Sequence, residues 1–250
     1  MTRRFAAWNG TTIHPAYQSL ANIRDAVQAI APAGSWGLAW YPKAGEGGTW
    51  QSAWDGHPLA IDGPDKLRAL VREGRRLRPR LNVVPYVVVR GRADWNEAEW
   101  EQIAACAREA GEVVLNLEPG SAYWAGPTDA AELTAEYILP LKARLAGIKA
   151  KLRLAAIPRA WVFDALGGAA TMVAWLYACD SASWECYGMV ADDLLVDRAI
   201  PRVRAMLAAV GVQLPARYYS PIVQRGEIGT WVGTPWARYS LEVWHLDGDI

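Results

Sequence analysis

The chain has 250 residues, and its 26 basic and 26 acidic side chains cancel, while 52% of the residues are apolar. That length supports one large core. The balanced charge, with its single basic run from Arg72 to Arg80 reading as one cationic helix end, argues against nucleic acid as a partner. The three cysteines, Cys106, Cys179 and Cys186, are too few and too widely spaced for a disulfide framework and read as small buried residues. No Cys-x-x-Cys or His-x-x-x-His spacing occurs, so neither a metal site nor a cofactor is expected. The apolar stretch after Met1-Thr2-Arg3-Arg4 is too short for a signal-peptide core, and no segment approaches membrane-spanning length. The expected location is the cytoplasm, or outside the cell without a visible signal.

In chain order, apolar runs predict strands at Arg4–Trp8, Ser35–Tyr41, Leu81–Val89, Glu112–Leu117, Leu152–Pro158, Ser181–Tyr187, Arg217–Ile222 and Leu241–Leu246. Between them, helical periodicity covers Leu20–Ile30, Pro64–Arg78, Asn96–Ala110, Asp129–Ala146, Trp161–Cys179 and Ala191–Val210. Boundary signals support several of these helices: Asp62-Gly63-Pro64 before the second, and Gly111, Gly147 and Gly211 after later ones. Strands alternating with helices imply parallel pairing through right-handed crossovers. Eight such strands predict a single (β/α)8 TIM-barrel domain over residues 1–250, with no internal repeat to suggest a second.

In such a barrel the chemistry lies at the C-terminal strand ends. The residues there are polar and aromatic: Asn9, Trp40-Tyr41, Arg90 and Arg92, Asn116 and Glu118, Arg159 and Trp161, Glu185 and Tyr187, Gln224 and Arg225, and Trp244, Asp247 and Asp249. The run Val113-Val114-Leu115-Asn116-Leu117-Glu118-Pro119-Gly120 is the most pointed, because an apolar strand ends on a carboxylate and then on Pro-Gly, which cannot extend it. Alternation sets Asn116 and Glu118 on the face of Val114, where desolvation raises a carboxyl pKa toward the range of a general acid. A bland alternative has Glu118 capping a helix or pairing with an arginine. Glu185 can share its layer, and two facing carboxylates suit glycoside hydrolysis, at roughly 5–5.5 Å for retention or roughly 6.5–9.5 Å for inversion. Glu185 as the buried partner of Arg159 is the competing view.

Fourteen tryptophans is a heavy load, and Trp50, Trp54, Trp95, Trp124, Trp231 and Trp236 fall after strands. An indole offers apolar area to a sugar face and an N–H to a hydroxyl, so an aromatic mouth around carboxylates suits an oligosaccharide or polysaccharide. The same residues could instead fill gaps between loops and helices.

Three strand ends resemble family 18 chitinases. The segment from Glu242 to Asp249 looks like their eighth strand, with Trp244 matching the Trp that floors the sugar subsite. Glu185-Cys186-Tyr187-Gly188 looks like their Met-x-Tyr-Asp segment, Gly188 standing for the aspartate. Gly111 to Glu118 can be laid on Asp-x-x-Asp-x-Asp-x-Glu, with Gly111, Val114 and Asn116 where the aspartates stand. Asn116-Leu117-Glu118 is similar to the Asn-x-Glu of family 85 endo-β-N-acetylglucosaminidases, and family 25 lysozymes resemble the chain comparably. The resemblance implies hydrolysis of an N-acetylhexosamine glycan, with Glu118 as acid/base, Asn116 and Tyr187 holding the substrate's acetamido group, and Trp244 under the ring. Asn9, Trp40, Trp124, Arg159 and Asp247 are expected to complete the binding site. Two rivals stand beside this: a retaining enzyme using Glu118 and Glu185, and a carbohydrate-binding or structural barrel without activity. Oligomeric state is not legible in the sequence.

Overall fold

A computed structural model describes residues 3–10, 12–119, 123–186, 198–223, 227–232, 234–238 and 240–244. Its strands are β1 (Arg3–Trp8), β2 (Trp36–Tyr41), β3 (Lys43–Glu46), β4 (Thr49–Trp50), β5 (Leu81–Val83), β6 (Tyr86–Val88), β7 (Glu112–Leu117), β8 (Lys151–Ala156), β9 (Ser181–Glu185), β10 (Ser220–Val223) and β11 (Ser240–Val243). The helices are α1 (Leu20–Ile30), α2 (Pro64–Arg76), α3 (Asn96–Ala110), α4 (Ala130–Leu133), α5 (Leu139–Arg144), α6 (Ala160–Ala165), α7 (Gly168–Ala178), α8 (Ala199–Ala209) and α9 (Ile228–Val232).

The closed, regular (β/α)8 TIM barrel expected from the sequence is corrected. The chain forms one open, curled sheet of 11 strands in the order β4-β3-β6-β7-β8-β9-β10-β11-β1-β2-β5. The sheet is mixed: β3 and β4 pair antiparallel, and the other ladders are parallel. The expected Ser35–Tyr41 stands as the single strand β2, and β3, which the sequence reading did not predict, begins after Pro42. Pro85 has no N–H to give a ladder, and the expected Leu81–Val89 splits there into β5 and β6. β5 then pairs with β2, while β6 pairs with β3 and β7. The β3–β4 hairpin turns on Gly47 and Gly48 at φ 53° and 86°.

Helices depart from expectation in a similar way. The helix predicted over 161–179 breaks between α6 and α7, because Gly167 has φ 98° and sits so close to the Thr128 carbonyl that a Cβ would come within 1.6 Å of its oxygen. The one predicted over 129–146 runs as α4, a π-helical segment Thr134–Ile138, and α5. No helix among the described residues is long and apolar enough to cross a membrane.

Strand alternation sorts side chains into two cores. Phe5, Trp40, Val87, Val113, Leu115, Leu117 and Leu154 face the helices and form the larger one. The inner face is lined by Ala6, Trp8, Tyr41, Val84, Tyr86, Val88, Val114, Ala155 and Ile222, all on strands except Val84 between β5 and β6, with Trp244 resting on them. Nearer the strand starts the inner face carries buried charge. Arg153 pairs with Glu242 and donates to Ser183 Oγ at 3.0 Å and Ser240 Oγ at 3.1 Å, while Trp8 Nε1 donates to the other Glu242 oxygen at 3.0 Å. Arg4 grips Glu112 at 2.5 and 2.8 Å and donates to Tyr41 Oη at 3.0 Å. Every one of these ions has a partner, as burial requires.

Candidate active site at the end of strand β7

β7 is buried along its whole length, so its last inward residues are delivered to a fixed place. Asn116 is fully buried, and its Nδ2 donates to Glu118 Oε1 at 2.8 Å. The other Asn116 amide atom, Oδ1, is shut from solvent and accepts no hydrogen bond from the described residues. Glu118 is half-buried. Burial pushes its carboxyl pKa up; the charges of Lys43 and Arg90 and the Asn116 hydrogen bond pull the other way without cancelling the rise. The result is a carboxylic acid that stays protonated to a higher pH than an ordinary glutamate and is oriented by a neighbouring amide.

Three charged neighbours come from β3 and from the segment after β6. Lys43 and Glu46 lie on β3 and Arg90 follows β6. Lys43 Nζ meets Glu46 Oε2 at 2.8 Å, and Arg90 pairs with the other oxygen of the same carboxylate. Burial pushes Lys43 down to about 8, Glu118 opposing the fall and Arg90 adding to it. The buried Glu99 fixes the backbone here, accepting from Arg90 N at 2.7 Å and Gly91 N at 3.3 Å, and from the Tyr137 hydroxyl. Exposed rings rest on the cations: Trp54 at 4.9 Å from Lys43, Tyr123 at 4.9 Å from Arg90 and Trp95 at 4.2 Å from Arg92. Tyr86 ties the inner face to this end. Its hydroxyl donates to Asn9 O at 2.9 Å, and its phenol pKa is pushed up by burial and then by the charges of Glu118 and Glu185.

No protein-family model matches the chain, and no curated protein matches it. Among solved structures it is similar to the C-terminal domain of a candidate chitinase from Desulfitobacterium hafniense DCB-2, over 90% of this chain and 67% of that one, at 14% identity and a TM-score of 0.58. The chain has the fold of that domain. It is also similar to the spore cortex-lytic enzyme SleL of Bacillus megaterium QM B1551, at 13% identity and a TM-score of 0.49, covering 89% of this chain and spanning half (50%) of that one.

Within this fold, Asn116 and Glu185 stand on inward positions of β7 and β9, Glu118 directly follows β7, and both carboxylates act on Tyr86. Trp244 is half-buried with its ring 5.6 Å from that of Trp8. Asn9 is buried and accepts from Trp40 Nε1; Trp40 itself is fully buried in the helix-facing core. Arg159 is half-buried just before α6. Trp124 lies elsewhere, 4% exposed and edge-on to Tyr137 and Trp175 at 5.2 Å under the helices. Trp231 is buried too, and Trp50 and Trp236 pack on the same core. Tyr187, Gln224, Arg225, Asp247 and Asp249 lie outside the described residues. The sequence reading passed over Lys43, Glu46 and Tyr86. A lysine in the run Tyr41-Pro42-Lys43-Ala44-Gly45-Glu46, directly after a strand, was the available signal.

Proposed function

We propose that the chain is a glycoside hydrolase acting on an N-acetylhexosamine glycan, with Glu118 as general acid and then base. The observation that carries this reading is the Asn116–Glu118 pair: a carboxyl whose pKa burial raises, beside an amide whose buried oxygen meets no donor among the described residues. An acetamido N–H donated to Asn116 Oδ1 would satisfy that oxygen and turn the acetamido carbonyl toward the anomeric carbon. The carbonyl oxygen then bonds to that carbon as the glycosidic C–O bond breaks, and the Glu118 proton goes to the leaving oxygen. Glu118, now a carboxylate, takes a proton from the water that reopens the resulting ring. Positioning supplies most of the gain, since intramolecular nucleophiles reach effective molarities of about 10⁵ M or more. Trp244 is assigned to the sugar ring and Tyr187 to the acetamido group. The fold neighbour is named a candidate chitinase, which agrees with this substrate class.

A second reading, a retaining enzyme with Glu185 as nucleophile, is favoured by the electrostatic reach of both carboxylates to Tyr86. Variants assayed on paired substrates with and without the acetamido group separate the two. Asn116→Ala is expected to depress hydrolysis of the acetamido substrate far more than of the plain glycoside, and Glu185→Gln to leave both measurable. Loss of both activities in Glu185→Gln, with Asn116→Ala indifferent to the acetamido group, supports the second reading instead.

A further inference from the structure

The Trp124 ring is buried under the helices, yet its segment ties together the strand ends that carry the proposed acid and Arg90. The β6–β7 ladder ends at the Val88–Asn116 pair, with Val89 N–H donating to Asn116 O at 3.1 Å. Glu118 and Arg90 both lie past that point. Residues 124 and 125 take over there: Trp124 N–H donates to Glu118 O at 3.2 Å, and Ala125 N–H donates to Arg90 O at 2.8 Å. Two successive amides thus bridge the two strand ends. The ring beside them is closely fitted. Gly91 and Gly126 flank it, and a Cβ on either would lie 2.5 Å from a ring carbon, Cη2 for Gly91 and Cζ2 for Gly126. Tyr137 on the π-helical segment and Trp175 on α7 meet the ring edge-on, each at 5.2 Å between centroids, and the indole N–H donates to Pro127 O at 3.3 Å. Tyr137 also anchors the Arg90 side, because its hydroxyl donates to Glu99, whose carboxylate accepts from the N–H groups of Arg90 and Gly91.

A general acid must stand within hydrogen-bond reach of the leaving oxygen, and a displacement of about 1 Å costs as much as about 10²-fold in rate. Asn116 orients the Glu118 carboxyl at 2.8 Å, but Glu118 itself follows the end of β7, so the place of its main chain depends on the bridge. We propose that Trp124 is a positioning residue for the acid: wedged between Gly91 and Gly126, it locks the 124–125 bridge, and with it the placement of Glu118 relative to Arg90, without touching the glycan. This rests on the hydrolase reading above and adds a residue to that same site. It assigns the indole to support of the acid, where the sequence pointed to the sugar.

The test measures kcat and KM per folded molecule on an N-acetylhexosamine oligosaccharide for the wild type, Trp124→Leu, Trp124→Phe, Gly126→Ala and the Trp124→Leu/Gly126→Ala double variant. Trp124→Leu is expected to lose about 10²-fold in kcat with KM within a few-fold of the wild type. Trp124→Phe keeps a planar ring in the slot and should recover most of that loss. Gly126→Ala should lower kcat by itself but not further in the Trp124→Leu background, where the ring that its Cβ strikes is gone. Gly126→Ala also carries the comparison where Trp124→Leu fails to fold, and Leu207→Ala, a buried truncation on α8, shows what lost stability does alone. Unchanged kcat in Trp124→Leu and Gly126→Ala overturns the proposal and leaves the hydrolase reading standing; so does a raised KM at unchanged kcat, which assigns the ring to the glycan. If the wild type cleaves nothing, the hydrolase reading falls, and the placement of Glu118 is read from its own carboxyl by 13C NMR titration, the resonance being the one missing from Glu118→Gln. The groups that face this carboxyl are Lys43 from β3, Tyr86 from β6, Arg90 from the segment after β6 and Asn116 from β7. A pKa that moves in Trp124→Leu and returns in Trp124→Phe retains the positioning role, and one that stays in place overturns it as well.

Discussion

Glu118 illustrates how a single side chain is set by three opposed effects. Burial raises its pKa, while two cations and one amide lower it, and burial prevails. The sign of each effect predicts a pH profile. The acid form acts, so kcat/KM should fall as pH rises through the Glu118 pKa, and removing a cation that favours the carboxylate should raise that pKa further. In Lys43→Met the alkaline limb of kcat/KM is therefore expected to move to higher pH on a neutral acetamido substrate; a limb that stays or moves to lower pH contradicts the assignment of Glu118 as the titrating acid. Asn116 and Glu118 were legible in the sequence because strand alternation and the Pro-Gly stop are local facts. Lys43 and Arg90 were not tied to Glu118, because what joins them is a contact between segments that are distant along the chain. Trp124 and Trp231 follow strands and so suited either an aromatic mouth or gaps between loops and helices; sequence position does not say which way a ring turns, and packing area decided for the helices.

At the scale of elements, the site depends on turns that only glycine fits. Gly48 lies at φ 86°, and a Cβ there would sit 2.5 Å from the Cβ of Ala98 on α3. The hairpin it closes holds β3, and β3 holds Lys43 and Glu46. Gly48→Ala should cost about 1–3 kcal/mol or more from overpacking and strain, lowering the thermal midpoint and loosening the Lys43–Glu46 pair. Gly167→Ala, which meets backbone oxygen, is expected to cost at least as much while leaving the cation cluster in place. Urea unfolding of both variants with activity on the folded fraction distinguishes them: a Gly48→Ala protein of unchanged stability and unchanged activity would show that the hairpin does not position the cluster. The alternation of strands and helices was readable from periodicity, and the parallel pairing followed from it. The eleven-strand, open arrangement was not, because Pro85 interrupts a run whose hydrophobic pattern is continuous, while β3, Lys43-Ala44-Gly45-Glu46, carries no apolar pattern to mark it as a strand.

For the molecule as a whole, the inner face is both a floor for the site and a store of buried charge. Burial pushes the Glu112 carboxyl pKa up, but the Arg4 hydrogen bond and the charges of Arg153 and Arg4 outweigh it and hold the group below the usual carboxylate range. A group with a depressed folded pKa adds stability above its unfolded pKa, and that stability is lost as pH falls through the folded value. Glu112→Gln should therefore be less stable than the wild type near neutrality, with the difference narrowing in acid; a constant difference across pH would remove Glu112 from the account of acid unfolding. Glu242→Gln takes from the buried Arg153 the nearer of its two carboxylates, leaving Glu112 at 3.5 Å, and is expected to cost about 3 kcal/mol in urea unfolding, whereas a change of a few tenths would show that water reaches this network. The claim on which the functional account turns is that Glu118 gives a proton to a glycosidic oxygen, and it is tested most directly by the turnover of Glu118→Gln on an N-acetylhexosamine oligosaccharide that the wild type cleaves. The account predicts unchanged binding with turnover reduced by about 10²-fold or more, because an amide has no acidic proton to donate; turnover within a few-fold of the wild type would contradict it.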